Sequence, residues 1–112
     1  MNDRFKEPVR QIIDLLVAKK YAELASLTHG VRLPVEEIGS AVADYGRELV
    51  SVPEDAFGLM DVVEVKNALP RRWAVTMPLW TQEEGRSDLS VELTLIESGT
   101  SFIVELDDIH VL

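Results

Sequence analysis

The chain has 112 residues, 46% of them hydrophobic and 28% charged, which suffices for one ordinary core and argues against extended disorder. Eleven Lys and Arg against twenty Asp and Glu leave a formal charge of −9, which argues against direct nucleic-acid binding. The absence of cysteine excludes disulfide scaffolds, thiolate metal sites and cysteine nucleophiles.

The sequence carries no signal for export or membrane insertion. No apolar run approaches the roughly 20 residues that a membrane-spanning helix needs. Residues 1–8 are too polar for a signal peptide, and a chain without cysteine suits a reducing compartment. We therefore expect a cytoplasmic protein with no membrane partner and a single domain over residues 1–112.

The first part of the chain is predicted to be helical. Apolar residues recur at helical spacing and predict a first helix over residues 7–19, with Pro8 in its first turn. A short second helix over residues 21–27 is expected to end at His29-Gly30, because glycine readily takes the left-handed cap conformation.

A third helix is predicted to begin at Pro34. Gly39 weakens this helix relative to alanine, so we expect close packing against a neighbour there. Two endings remain open: the helix stops at Gly46, or the chain is already extended at Leu49-Val50.

The second half of the chain changes to the alternation that is typical of strands. Apolar and β-branched residues predict a strand over residues 59–65. Side chains that alternate between apolar and polar predict three more strands, over residues 72–80, 89–95 and 102–106.

Two irregularities are expected in these strands. Pro78 has no N–H to donate to a ladder, so its strand is an edge there or carries a bulge. After Leu106 the apolar alternation resumes one residue out of phase at Ile109, which predicts a bulge near Asp107 and Asp108 or the end of the strand.

Helices that precede strands without alternating with them indicate an α+β fold. We expect three N-terminal helices packed on one face of a four-stranded antiparallel meander. Residues 57–112 hold four basic and ten acidic residues, net −6, whereas residues 1–56 hold seven and ten, net −3. The acids of the sheet half should therefore crowd onto the uncovered sheet face and the loops.

The densest titratable cluster is Asp107-Asp108-Ile109-His110. Two carboxylates and an imidazole could bind a divalent cation or perform acid–base chemistry. Strand alternation lets Asp108 and His110 converge but sends Asp107 to the other face, unless a bulge re-aims it. We interpret the cluster as a solvated strand end and assign no metal and no catalytic residue.

The loop from Glu83 to Asp88 and the tryptophan before it are the other candidates. Arg86 could grip a carboxylate or phosphate, but local pairing with Glu84 or Asp88 is the simpler expectation. Strand alternation places Trp80 on the opposite sheet face from Trp73, which is expected in the core. Trp80 is therefore either an exposed interface anchor or a cover for the open end of the core. Parity alone leaves both open.

Three segments carry a resemblance to known proteins. Trp73-Ala74-Val75, the stretch over residues 79–89 and the terminal stretch over residues 107–112 resemble a family of small bacterial proteins without an established activity. More loosely, helices followed by a curved meander are similar to the ketosteroid-isomerase and nuclear-transport-factor cone fold, which implies a ligand pocket between helices and sheet. Size and acidity resemble immunity proteins of bacterial toxin systems, including contact-dependent inhibition.

The leading hypothesis is an immunity protein, not an enzyme, that blocks a toxin domain such as a basic nuclease through electrostatically steered occlusion. It needs no cofactor and would act as a monomer or homodimer. The residues predicted to meet the partner are Trp80, Glu83, Glu84, Arg86, Asp88, Glu92, Asp107 and Asp108.

Two other hypotheses remain. A ligand-binding or enzymatic pocket of the cone type would use Tyr45, Asp61 or His110. A housekeeping dimer would pair through an edge strand or through the open sheet face.

Overall fold

Three helices precede an antiparallel sheet in the computed structural model, which describes residues 3–28 and 33–111. A 3₁₀ turn, Glu54–Leu59, interrupts the strands. The helices are α1 (Asp3–Val17), α2 (Tyr21–Leu27) and α3 (Val35–Tyr45), and the strands are β1 (Leu49–Val50), β2 (Asp61–Glu64), β3 (Arg72–Thr81), β4 (Gly85–Ser98) and β5 (Ser101–Val111). The predicted α+β class and antiparallel sheet are confirmed.

The sheet has five strands rather than the four predicted. Its order is β1-β3-β4-β5, and β2 also pairs with β3. The two short strands share one edge of β3, since β1 pairs with its end at Thr81 and β2 with its start at Trp73. Pro78 falls between the two paired stretches, so the N–H it lacks is not needed on that edge.

Helix α1 begins at Asp3, four residues before the predicted start, so Pro8 lies inside the helix and not in its first turn. Aromatic packing explains the extra turn. The ring of Phe5 lies 5.2 Å from that of Trp73 and 5.3 Å from that of Phe102. The Arg4 guanidinium sits 4.9–5.2 Å from all three ring centroids. This burial outweighs the helix hydrogen bond that proline removes.

Helix α1 ends at Val17, two residues before its predicted end, and α2 ends at Leu27 as predicted. Lys19 takes the left-handed conformation after α1, with φ 60°, and the N–H of Lys20 donates to Leu15 O at 2.9 Å.

Gly46 ends α3 with φ 75°, which is the first of the two predicted endings, and Leu49–Val50 is extended as well. His29 and Gly30, which were expected just after α2, lie outside the described residues.

Gly39 makes the close contact that its place in α3 predicts. A Cβ built there would lie 3.6 Å from the ring of Tyr21, which is ordinary van der Waals distance. The two shorter helices therefore meet at a glycine, with room for one methyl group.

One hydrophobic core lies between the helices and a single sheet face, here called the inner face. The helices contribute buried aliphatic residues at helical spacing, and the strands contribute every second residue. The principal members are Val9, Ile12, Ile13, Leu16, Leu24, Ile38, Val42, Trp73, Val75, Met77, Leu79, Leu89, Val91, Leu93, Leu95, Val104, Leu106 and Ile109. The opposite face of β2–β5, here called the outer face, carries the polar residues between them.

Both predicted bulges are present. The pairing of β3 with β4 shifts between Pro78 and Trp80. The Ser87 hydroxyl bridges that irregularity by donating to Leu79 O at 2.8 Å and accepting from the Leu89 N–H at 3.1 Å. On β5, Glu92 pairs with Asp108 while Leu93 pairs with Leu106, so Asp107 is the extra residue.

Candidate functional site

The β5 bulge decides which side chains reach the outer face. Without the extra residue, strand alternation would turn Ile109 outward and Asp108 and His110 inward. With it, Ile109 is only 4% exposed in the core, and Asp108 and His110 point out. The burial of one isoleucine thus fixes the orientation of a carboxylate and an imidazole.

Asp107 follows the buried Leu106, so strand alternation already places it on the outer face. The hydroxyl of Thr94, an outer-face residue of β4, donates to Asp107 Oδ2 at 2.6 Å. The bulge turns Asp108 and His110 to the same side, so all three side chains share one face, as the sequence allowed only if a bulge lay there.

Five carboxylates share the outer face, and we call them the acidic face. One row across the sheet runs through β2, β3, β4 and β5 and consists of Asp61, Thr76, Glu92 and Asp108. In the next row, Glu105 lies opposite Thr94. The acidic face comprises Asp61, Glu92, Glu105, Asp107 and Asp108. The core helices pack on the other side of these strands.

Glu92, Asp108 and His110 form the tightest group on this face. One potential ligand atom from each lies within 4.8 Å of the others. His110 Nε2 is shielded from solvent and lies 3.0 Å from Glu92 Oε2, close enough for an ion pair when the imidazole is protonated. The neighbouring Glu92 carboxylate, with Asp108 adding to it, raises the pKa of His110 against the opposing effect of desolvation.

The acids of the β3–β4 turn have a different role from the one predicted. The Tyr45 hydroxyl donates to the Glu84 carboxylate at 2.9 Å, and Thr81 Oγ1 donates to Glu84 Oε1 at 2.9 Å. Glu83 Oε1 accepts the backbone N–H of Glu48 at 3.2 Å. These bonds hold the turn against the end of α3.

Asp88 contacts this turn through its backbone, since its N–H donates to the Tyr45 hydroxyl at 3.3 Å. Burial and the Glu84 carboxylate both raise the pKa of Tyr45. Glu84 precedes Glu92 by eight positions, roughly 26 Å at strand rise. Glu83 and Glu84 therefore lie on a surface separate from the acidic face.

The predictions for Trp80 and Arg86 are also resolved in part. Trp80 is half-buried and packs against the core, which favours a cover for the core over an exposed anchor. Arg86 lies opposite Trp80 in register and is exposed. Within residues 3–28 and 33–111 it forms no ion pair with Glu84 or Asp88, so the expected local pairing is wrong.

An open groove of about 1270 Å³ lies between α1 and the start of β5. Arg4, Arg10 and Lys20 line it together with Leu15 and Phe102. Tyr45, Asp61 and His110, the polar groups expected for a pocket between helices and sheet, are not among its walls. The space between the helices and the inner face is instead filled by the core.

The sequence analysis allowed Asp108 and His110 to converge and named Glu92 among the partner-facing acids, but it did not place Glu92 beside them and it missed Glu105 as a neighbour. The missing information is the strand register. A signal was present in the out-of-phase Ile109, because a bulge placed at Asp107 fixes every pair toward the end of β5.

Comparison with known proteins gives one match. A family model described as a domain of unknown function, DUF7668, matches residues 13–112. No curated protein and no solved structure matches the chain. No described helix has the length and apolar character needed to cross a membrane.

Proposed function

The chain belongs to the DUF7668 family of unknown function, and we propose that it is an immunity protein that neutralises a basic toxin domain, such as a nuclease, by covering its active site. It would act in the cytoplasm and without a cofactor. The observation that carries this proposal is the acidic face, five carboxylates gathered on the sheet surface that the core helices leave uncovered.

The charge on this face suits a partner that normally binds phosphates. Asp107 is fixed by Thr94, and Asp108 Oδ1 accepts the Ile109 N–H at 2.9 Å, so both carboxylates are held in place before any encounter. Pre-organised charges of one sign raise association rates by roughly 10- to 1000-fold and suppress wrong partners. Such a surface competes directly with a phosphate backbone for a cationic cleft.

The outer face also offers a substantial area to a partner. Strands β3 to β5 span roughly 14 Å at strand spacing and roughly 33 Å along the ten residues of β3, and the four residues of β2 add a strip roughly 13 Å long. Together they cover about 540 Å² before side-chain relief is counted, compared with the roughly 800 Å² that each partner contributes to a standard interface.

The experiment is a charge reversal scored by binding and by protection of cells. The partner to be tested is a basic nuclease toxin domain, produced with an inactivated active site for binding. Asp61→Lys and Glu105→Lys, singly and together, should weaken binding at least 10-fold and slow association more at low salt than at high salt. The double variant should also fail to protect cells from the active domain.

Asp14→Lys and Asp44→Lys are the matched controls, since both carboxylates are exposed on helices and each variant changes the charge equally. They should keep binding and protection. Equal losses in the control and test variants would show that net charge, not the acidic face, governs the complex. No loss in either set would reject the proposal.

The groove between α1 and β5 supports the second candidate, a small-ligand binder. Its three basic residues and the apolar Leu15 and Phe102 would suit an amphipathic anion, while Glu7 and Asp14, which also line it, would oppose one. Arg4 already pairs with Glu97 and Arg10 with Glu7 and Glu54, which weakens this case. A thermal-shift series with medium-chain carboxylates discriminates the two candidates: saturable stabilisation that Leu15→Asp abolishes would favour the groove.

A further inference from the structure

We infer that Glu92, Asp108 and His110 bind a divalent transition-metal ion, with Zn²⁺ as the best match, on the outer face of the sheet. Glu92 pairs directly with Asp108 across the β4–β5 ladder. His110 lies two residues beyond Asp108 on the same side of its strand. All three side chains thus come from two hydrogen-bonded strands and converge on one point.

The atoms are placed as a metal site requires. The three potential ligand atoms lie within 4.8 Å of one another. Ligands at about 2.0–2.2 Å from a tetrahedral zinc are roughly 3.4 Å apart, so small side-chain rotations close the site without backbone movement. Asp108 Oδ1 is engaged by the Ile109 N–H, which orients the carboxylate and leaves its second oxygen for an ion.

His110 supplies the observation that separates this cluster from an ordinary group of surface acids. Its Nε2 atom is shielded from solvent and lies 3.0 Å from Glu92 Oε2, so an imidazole nitrogen and a carboxylate oxygen already face each other. A neutral imidazole offers this nitrogen as a ligand, which a group of carboxylates alone lacks. A metal ion between imidazole and carboxylate would take the place of the proton and satisfy both groups.

The donor set selects the class of metal. One imidazole nitrogen and two carboxylate oxygens suit zinc and its first-row neighbours, whereas Ca²⁺ and Mg²⁺ prefer oxygen ligands alone. Two carboxylates and a neutral imidazole balance the charge of a divalent cation. Asp107 and Glu105, nearby on the same face, add negative potential that favours cation entry. Three protein ligands leave a fourth position for water or for a partner's side chain.

The test uses the whole chain, ZnCl₂ as the probe, isothermal titration calorimetry and the absorption spectrum of bound Co²⁺. The wild-type chain should bind one equivalent of zinc with a dissociation constant in the micromolar range and show the d–d bands of ordered cobalt. His110→Ala and Glu92→Gln should each weaken zinc binding at least 10-fold. Circular dichroism of each variant verifies that the fold is kept.

Two controls match these variants. His29→Ala removes the sequence's other histidine, and Glu37→Gln removes an exposed carboxylate on α3, away from the acidic face. Both should bind zinc as the wild type does. The inference is overturned if the wild-type chain binds no zinc at 1 mM, or if His110→Ala binds it as tightly as wild type. The zinc titration contains no partner protein, so a negative result would reject the metal site without affecting the charge-reversal test of the proposed function.

Discussion

Phe5 gives the sharpest test of how the N-terminal turn is held. Its side chain is 5% exposed and lies between Trp73 and Phe102, with Arg4 above the rings. Phe→Ala at a buried site removes the transfer free energy and leaves a cavity, which together cost roughly 3–5 kcal/mol. Since the turn is terminal and can partly relax, we predict a loss of about 3 kcal/mol for Phe5→Ala. That corresponds to a fall in melting temperature of about 12 °C at roughly 4 °C per kcal/mol.

The assay is urea unfolding followed by far-UV circular dichroism and by tryptophan fluorescence. Phe5→Leu is the matched control, because it keeps most of the apolar volume and should cost about 1 kcal/mol. A loss below 1 kcal/mol for Phe5→Ala would refute the reasoning, since it would mean that the first turn of α1 is not docked on the sheet.

Three further predictions concern stability. Gly39→Ala should stabilise the chain by about 1 kcal/mol, because the added methyl group fits against Tyr21 and improves helix propensity. Gly46→Ala should destabilise it, because alanine rarely adopts the φ of 75° found there. The two unfolding midpoints must therefore move in opposite directions. Lys19→Gly should stabilise by about 0.5–1 kcal/mol through relief of the left-handed conformation, and a lower midpoint would contradict this. Lys6 and Arg10 lower the pKa of Glu54, so the carboxylate stabilises the fold above its unfolded-state pKa and this contribution is lost as pH falls through its folded-state pKa. Glu54→Gln should therefore reduce the fall in unfolding free energy on acidification. An unchanged fall would count against the pairing.

The sequence predicts the parts of the fold that depend on a regular spacing of apolar residues or on a backbone conformation that few residue types adopt. Gly46 ends α3 because few other residues take its conformation. Ile109 is out of phase because it must stay in the core, and that requirement predicts the bulge before it. In both cases a feature of a few neighbouring residues, a glycine or a shift in apolar alternation, is enough to indicate the local structure.

The rest depends on contacts between residues distant in the sequence. The two-residue strand Leu49–Val50 is too short to show a period. The early start of α1 depends on Phe5 meeting Trp73, a contact between residues 68 positions apart.

The candidate site follows the same division. The acid excess of the sheet half is visible in the sequence, but its distribution is not. Glu84 faces the end of α3 because Tyr45 reaches it, and Glu92 meets His110 because of the β4–β5 register. The Tyr45 contact leaves no local signal, and the out-of-phase Ile109 indicates the bulge on β5 but not which β4 residue lies opposite, so the predicted set of partner-facing acids mixes two different surfaces.

The most direct measurement of the central claim is a map of amide chemical-shift changes in ¹⁵N-labelled chain as its basic partner domain is added. If the partner binds the acidic face, the largest amide chemical-shift changes fall on β2 and on residues 72–76, 92–94 and 105–110. The amides of the three helices then show almost no change. Changes centred on α1, α2 or α3, with those strands unaffected, would contradict the account.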